Sequence, residues 1–158
     1  MEFDKAVQAL AGASVEFVII GGLSASFHGS ARITFDLDVC YSRSAANLRR
    51  LAAALAPFHP RPRDFPPGLP FVWDERTLSH GNIFTLDTDV GQIDLLAEVT
   101  GLGSYDDAMR HSIEVEAYGC HVRTLDLPSL IQAKRATGRV KDQLVIPELE
   151  SLLDAGEP

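Results

Sequence analysis

Val15-Glu16-Phe17-Val18-Ile19-Ile20-Gly21-Gly22-Leu23-Ser24 decides how the rest of the chain is read. From Val15 to Ile20 the residues are mostly β-branched or aromatic, the composition of a buried strand. Gly21-Gly22 ends it abruptly, and Leu23 to His28 has the length of a short helix closed by Gly29. A strand that ends on glycines and opens a helix brings backbone N–H groups to where phosphate oxygens can meet them.

The next segment, Thr34-Phe35-Asp36-Leu37-Asp38-Val39-Cys40, alternates. As a strand over 34–41 it puts Phe35, Leu37 and Val39 on one face and Asp36 and Asp38 on the other. Carboxylates at i and i+2 share a side, roughly 7 Å apart along the chain. Asp94, in Gly91-Gln92-Ile93-Asp94-Leu95-Leu96, lies on a further expected strand and can join them. An Asp-x-Asp alone is often just the solvent face of an edge strand. Asp is disfavoured in strands, however, and three of them set among apolar residues need a partner. Carboxylates facing one spot repel unless a cation lies between them, and hard oxygen ligands of this kind select Mg²⁺ or Mn²⁺ rather than zinc. Glycine turn and carboxylates together describe metal-assisted phosphoryl or nucleotidyl transfer.

Working outward, Phe3, Ala6, Val7 and Leu10 have helical spacing, and Ser44 is a good N-cap for a helix to about Ala56 carrying Leu48, Leu51 and Leu55. Residues 57–70 hold six of the nine prolines and read as a long loop. A short helix is expected near Val72–Leu78. Strands are expected over 82–87 and 90–97, joined at Asp87-Thr88-Asp89. After a loop at 101–104 come a helix over 105–110 and a hairpin, 113–117 with 121–124. Two helices close the chain, Leu127–Ala136 with Pro128 in its first turn and one from Arg139 onward with a kink at Pro147. The expected fold class is α+β, one mixed central sheet flanked by helices. It forms a single domain over 1–158 with a C-terminal helical segment at about 127–158.

Composition narrows the classes. The chain has 158 residues, 46% hydrophobic and 23% charged, which fits an ordinary globular domain and excludes disorder. Its formal net charge of −8 argues against a broad, sequence-independent nucleic-acid surface but allows a local basic groove. Cys40 and Cys120 form no CxxC pair, so they read as reduced core thiols. The N-terminus lacks the pattern of a signal peptide, and the longest apolar run is far short of the roughly 20 residues of a membrane span. A cytoplasmic protein with no membrane partner is expected.

Val18-Ile19-Ile20-Gly21-Gly22-Leu23-Ser24, then Phe27-His28-Gly29, Arg32, Thr34 and Asp36-Leu37-Asp38, resembles the DNA polymerase β-type nucleotidyltransferase superfamily. Within it the chain is most similar to the small bacterial branch of AbiEii-like and MenT-like toxins. Leu127-Pro128-Ser129-Leu130-Ile131-Gln132-Ala133-Lys134, followed by Arg139, Lys141 and Asp142, extends the likeness to most of the chain. The proline loop and parts of 98–120 are unmatched.

The resemblance implies a nucleotidyltransferase fold and a Mg²⁺-dependent enzyme, with Mn²⁺ as a substitute, that moves an NMP from an NTP to a hydroxyl. It implies Asp36, Asp38 and Asp94 as metal ligands and catalytic carboxylates. Gly21, Gly22, Ser24, Arg32, Lys134 and Arg139 would contact the nucleotide. Many superfamily members carry serine directly after the first glycine, where this chain has Gly22. The acceptor is open among tRNA, protein and small molecules. The branch also implies a cognate toxin or antitoxin as a partner, and the alternative reading is a non-catalytic member of such a pair. Asp142 reads as a helix-start carboxylate or an orienter of Lys134. His28 reads as a packing or capping residue, and Phe71 and Trp73 as core residues or base-stacking groups.

Overall fold

The computed structural model describes residues 1–156, so residues 157 and 158 of the expected domain lie outside the described residues. Its helices are α1 (Phe3–Gly12), α2 (Gly21–Phe27), α3 (Ala45–Leu55), α4 (Glu75–Ser79), α5 (Tyr105–Arg110), α6 (Leu127–Thr137) and α7 (Val140–Gly156). Its strands are β1 (Phe17–Ile20), β2 (Asp36–Tyr41), β3 (Arg61–Pro62), β4 (Ile83–Thr88), β5 (Gly91–Leu96), β6 (Glu98–Val99), β7 (Gly103–Ser104), β8 (Ser112–Ala117) and β9 (Cys120–Leu125). Seven strands form one sheet in the order β3-β4-β5-β2-β1-β9-β8. The pairs β1–β9 and β2–β5 are parallel and the others antiparallel, so the sheet is mixed and the fold is α+β.

Strand alternation divides the core. Phe17, Ile19, Leu37, Val39, Tyr41, Ile93 and Leu95 point to one face and pack with α1, α3 and α4. Val18, Ile20 and Cys40 point to the other, against Ala25 of α2, Ala108 of α5, Leu130 and Ile131 of α6, and Val145, Ile146 and Leu149 of α7. All four residues of β1 are buried, as a central strand covered on both faces requires. Asp36, Asp38 and Asp94 belong by alternation to the α6–α7 face.

Local signals set the ends of the elements. The Ser44 side chain accepts the Asn47 N–H at 3.2 Å and starts α3. Asp126 accepts the Ser129 N–H at 2.8 Å and starts α6, which Gly138 ends in the left-handed region at φ +67°. Among the described residues no helix is long and apolar enough to cross a membrane.

Four expectations change. Strand β2 begins at Asp36, so Phe35 lies outside the ladder and is 74% exposed instead of buried. The β4–β5 turn falls at Asp89-Val90, where the Thr88 hydroxyl lies 2.7 Å from the Gly91 carbonyl and 3.1 Å from the Val90 N–H. Gly103-Ser104 pairs with Glu98-Val99 where a loop was read. The proline loop contributes β3 at the edge of the sheet, where a proline facing outward costs no ladder bond. Outside these four, helix α7 runs as one element with Pro147 inside it, where a kink was expected.

Candidate active site

Asp38 and Asp94 stand side by side, because the parallel register of β2 and β5 pairs them directly. Asp36 precedes Asp38 by two residues and shares its face. Asp38 and Asp94 therefore meet at the end of β1, where Gly21 begins α2, with Asp36 near enough for its charge to act on Asp38. Burial, then the charge of Asp94 and a hydrogen bond shared with it, then Asp36, push the Asp38 carboxyl up to about 7, while the Lys134 ammonium pulls it down.

The two glycines make room for this cluster. Gly21 turns at φ +68°, and any side chain there would collide with the Asp38 carboxylate. A Cβ on Gly22 would lie 2.5 Å from the Thr34 hydroxyl. Any residue larger than glycine after Gly21 would therefore have to displace Thr34.

Arg63, at the end of β3, was missed by the sequence reading. Its Nη2 donates to Asp94 Oδ1 at 2.8 Å, and its Nε lies 3.6 Å from Asp87 Oδ1. Burial works against its charge, but Asp94, Asp36 and Asp87 outweigh burial and hold the guanidinium more firmly protonated than usual. Nothing in a proline-rich loop announces such a contact, which spans 31 residues of chain.

Lys134 of α6 lies near enough for its charge to act on Asp38, and its Nζ donates to Asp142 Oδ1 at 3.1 Å. Thr137 Oγ1 and Arg139 Nε donate to Asp142 Oδ2 at 2.6 and 2.7 Å. Asp142 is 1% exposed, so burial alone would raise its pKa. Its three partners outweigh burial and hold the carboxyl below the usual range. Asp142 thus fixes Lys134 from the helix that follows.

Other expected contacts fall elsewhere. Ser24 is fully buried, 2.7 Å from Thr124 Oγ1, which also lies 2.9 Å from the Ile19 carbonyl. A hydroxyl has one proton, so Thr124 donates to Ile19 and accepts from Ser24. The Ser24 side chain is thus held in the core by Thr124. Arg32 points along α7, donating to the Leu144 carbonyl at 3.1 Å, with Glu148 at 4.0 Å. Arg139 is 65% exposed and bound to Asp142. His28 caps α2, with Nε2 2.7 Å from the Leu125 carbonyl. Trp73 donates to the Ala52 carbonyl at 2.8 Å and packs on the core, while Phe71 meets Phe65 at 5.6 Å.

Among the described residues no group of three or more Asp, Glu, His or Cys is placed to hold a metal ion by itself. Mg²⁺ seldom needs one, since it is commonly bound through one or two carboxylates with substrate phosphates completing the shell. The Asp38–Asp94 pair fits that pattern, being close enough to share a proton where a cation would otherwise sit.

No family model matches the chain, and no curated protein matches it. A crystal structure of a provisionally named nucleotidyltransferase from Thermotoga maritima does, at a TM-score of 0.57 and 16% identity, over 94% of this chain and 90% of that one. The likeness is one of fold: this chain has the nucleotidyltransferase fold, a mixed sheet flanked by helices.

Proposed function

We propose that the chain is a metal-dependent nucleotidyltransferase that moves an NMP from an NTP to a hydroxyl acceptor. One observation carries the reading. Asp38 and Asp94 are paired in register on adjacent parallel strands, with Asp36 on the same face and Gly21 beneath the Asp38 carboxylate. Such a concentration of negative charge destabilises the fold, and function is the usual reason for its retention.

In this reading Asp36, Asp38 and Asp94 hold Mg²⁺ or Mn²⁺, which neutralises the triphosphate and the attacking oxygen when bound. The backbone N–H groups at Gly21-Gly22 take phosphate oxygens. Lys134, held by Asp142, supplies positive charge beside the carboxylates. Asp94 orients or deprotonates the acceptor hydroxyl, which attacks the α-phosphate in line while pyrophosphate leaves. The chain's main contributions are position and charge. The AbiEii/MenT-like resemblance supports a tRNA or protein hydroxyl as the acceptor and a cognate toxin or antitoxin as a partner. Small molecules remain in the acceptor screen.

The test is incubation with each α-labelled NTP, Mg²⁺ and pools of RNA, lysate protein and small molecules. Covalent label in one pool supports the enzyme. A stable complex with a neighbouring protein and no label in any pool supports the non-catalytic alternative.

A further inference from the structure

Three carboxylates and two cations occupy the site, and the cations are not equivalent. Lys134 is committed to Asp142, 3.1 Å away. Arg63 is aimed at the cluster: its Nη2 is 2.8 Å from Asp94 Oδ1, and Asp36 and Asp87 also act on it. Among the described residues its Nε is the one buried side-chain polar atom with no hydrogen-bond partner. The guanidinium is thus placed by opposite charge more than by a full set of hydrogen bonds. It contacts the same carboxylate that a metal in this site would use.

Resting on the nucleotidyltransferase reading, we propose that Arg63 is an internal counter-cation of the carboxylate cluster. It holds Asp94 and weakens the cluster's grip on a free divalent cation, so that metal is taken up together with the triphosphate. Arg63 engages Asp94 Oδ1, which leaves Oδ2 as the Asp94 oxygen without this cation. A unit positive charge beside a carboxylate disfavours a second cation there, and opposite-charge neighbours commonly change a carboxylate's proton affinity by 1–3 pK units, about tenfold or more. The triphosphate brings its own negative charge and oxygen ligands, and so offsets the opposition of Arg63.

The strap that carries Arg63 is anchored without its side chain. The Arg63 N–H donates to the Thr85 carbonyl at 2.8 Å, Asp89 N–H to Phe58 O at 2.9 Å, and Arg61 lies over the Phe65 ring at 5.7 Å. Substitution of the guanidinium therefore leaves the strap in place.

The experiment is titration of Mn²⁺ into wild type, Arg63→Gln and Arg63→Lys, followed by electron paramagnetic resonance of the free ion. It is run alone and with an α,β-methylene NTP analogue, with circular dichroism as the fold control. Arg63→Gln should bind Mn²⁺ alone about tenfold more tightly than wild type. Arg63→Lys, which keeps the charge, should stay near wild type, and the gain in Arg63→Gln should shrink when the analogue is present. If wild type binds Mn²⁺ and Arg63→Gln binds it no better, the counter-cation role is wrong while the metal site stands. A gain in Arg63→Lys equal to that in Arg63→Gln, or a gain undiminished by the analogue, also overturns the proposal. If no variant binds Mn²⁺ with or without the analogue, the metal site itself is wrong and Arg63 loses its role with it.

Discussion

Asp38 and Asp94 face each other in register across a parallel strand pair, and their proximity with burial raises the Asp38 carboxyl to about 7. The folded protein therefore binds a proton at Asp38 that the unfolded chain, titrating near 4, has already released. Below about pH 4 the group is protonated in both states and costs nothing. Stability falls as pH rises from about 4 to about 7, by on the order of 4 kcal/mol for a shift of that size, and above 7 the whole loss is in place.

Asp38→Asn should cancel that loss. At pH 8 without metal the variant should melt several degrees higher than wild type, and at pH 4 the two should coincide. Mg²⁺ with NTP should stabilise wild type by mass action and the variant far less, so their order reverses as ligand is added. Melting curves at both pH values decide this. A variant less stable at pH 8 would make Asp38 a structural hydrogen-bonding residue.

Gly22→Ser tests the clearance above Thr34. The new Cβ meets the Thr34 hydroxyl, and overpacking of this kind costs about 1–3 kcal/mol. Thr34→Ala removes the obstructing atom, so the double variant should recover most of the loss in urea unfolding. Equal damage in the single and double variants would mean that Thr34 is not the obstacle.

Lys134 carries two roles that a double variant separates. Lys134 is 15% exposed and bonded to a buried carboxylate, so its loss touches stability as well as NTP binding. Lys134→Met should cost about 1–3 kcal/mol by leaving Asp142 Oδ1 unpaired. Lys134→Met with Asp142→Asn should regain part of that stability. Calorimetry of NTP binding should show no matching recovery; if affinity returns with stability, Lys134 acts only through the fold.

Much of the site was legible because it obeys short-range rules. Strand alternation puts Asp36 and Asp38 on one face whatever surrounds them, and a glycine pair after a buried strand marks a turn with close backbone approach. Asp142 was read as either a helix-start carboxylate or an orienter of Lys134, and it lies in the first turn of α7 with its carboxylate on Lys134. What escaped depends on register and packing. Phe35 fits the alternation, yet the ladder begins one residue later. Ser24 looked like the nearest hydroxyl to the turn, but the helix rotates it toward Thr124 in the core. Arg63 has no periodic neighbours, and only the pairing of Arg61-Pro62 with Leu86-Asp87 brings it to Asp94.

The most direct measurement follows two labels through one reaction. Wild type and Asp38→Asn are incubated with Mg²⁺, the acceptor pools and an NTP labelled at either the α- or the γ-phosphate. The account predicts that α-label becomes covalently attached to an acceptor, that γ-label leaves as pyrophosphate, and that Asp38→Asn does neither. Attachment of γ-label, or equal attachment of α-label by wild type and Asp38→Asn, would contradict nucleotidyl transfer at the Asp36–Asp38–Asp94 cluster.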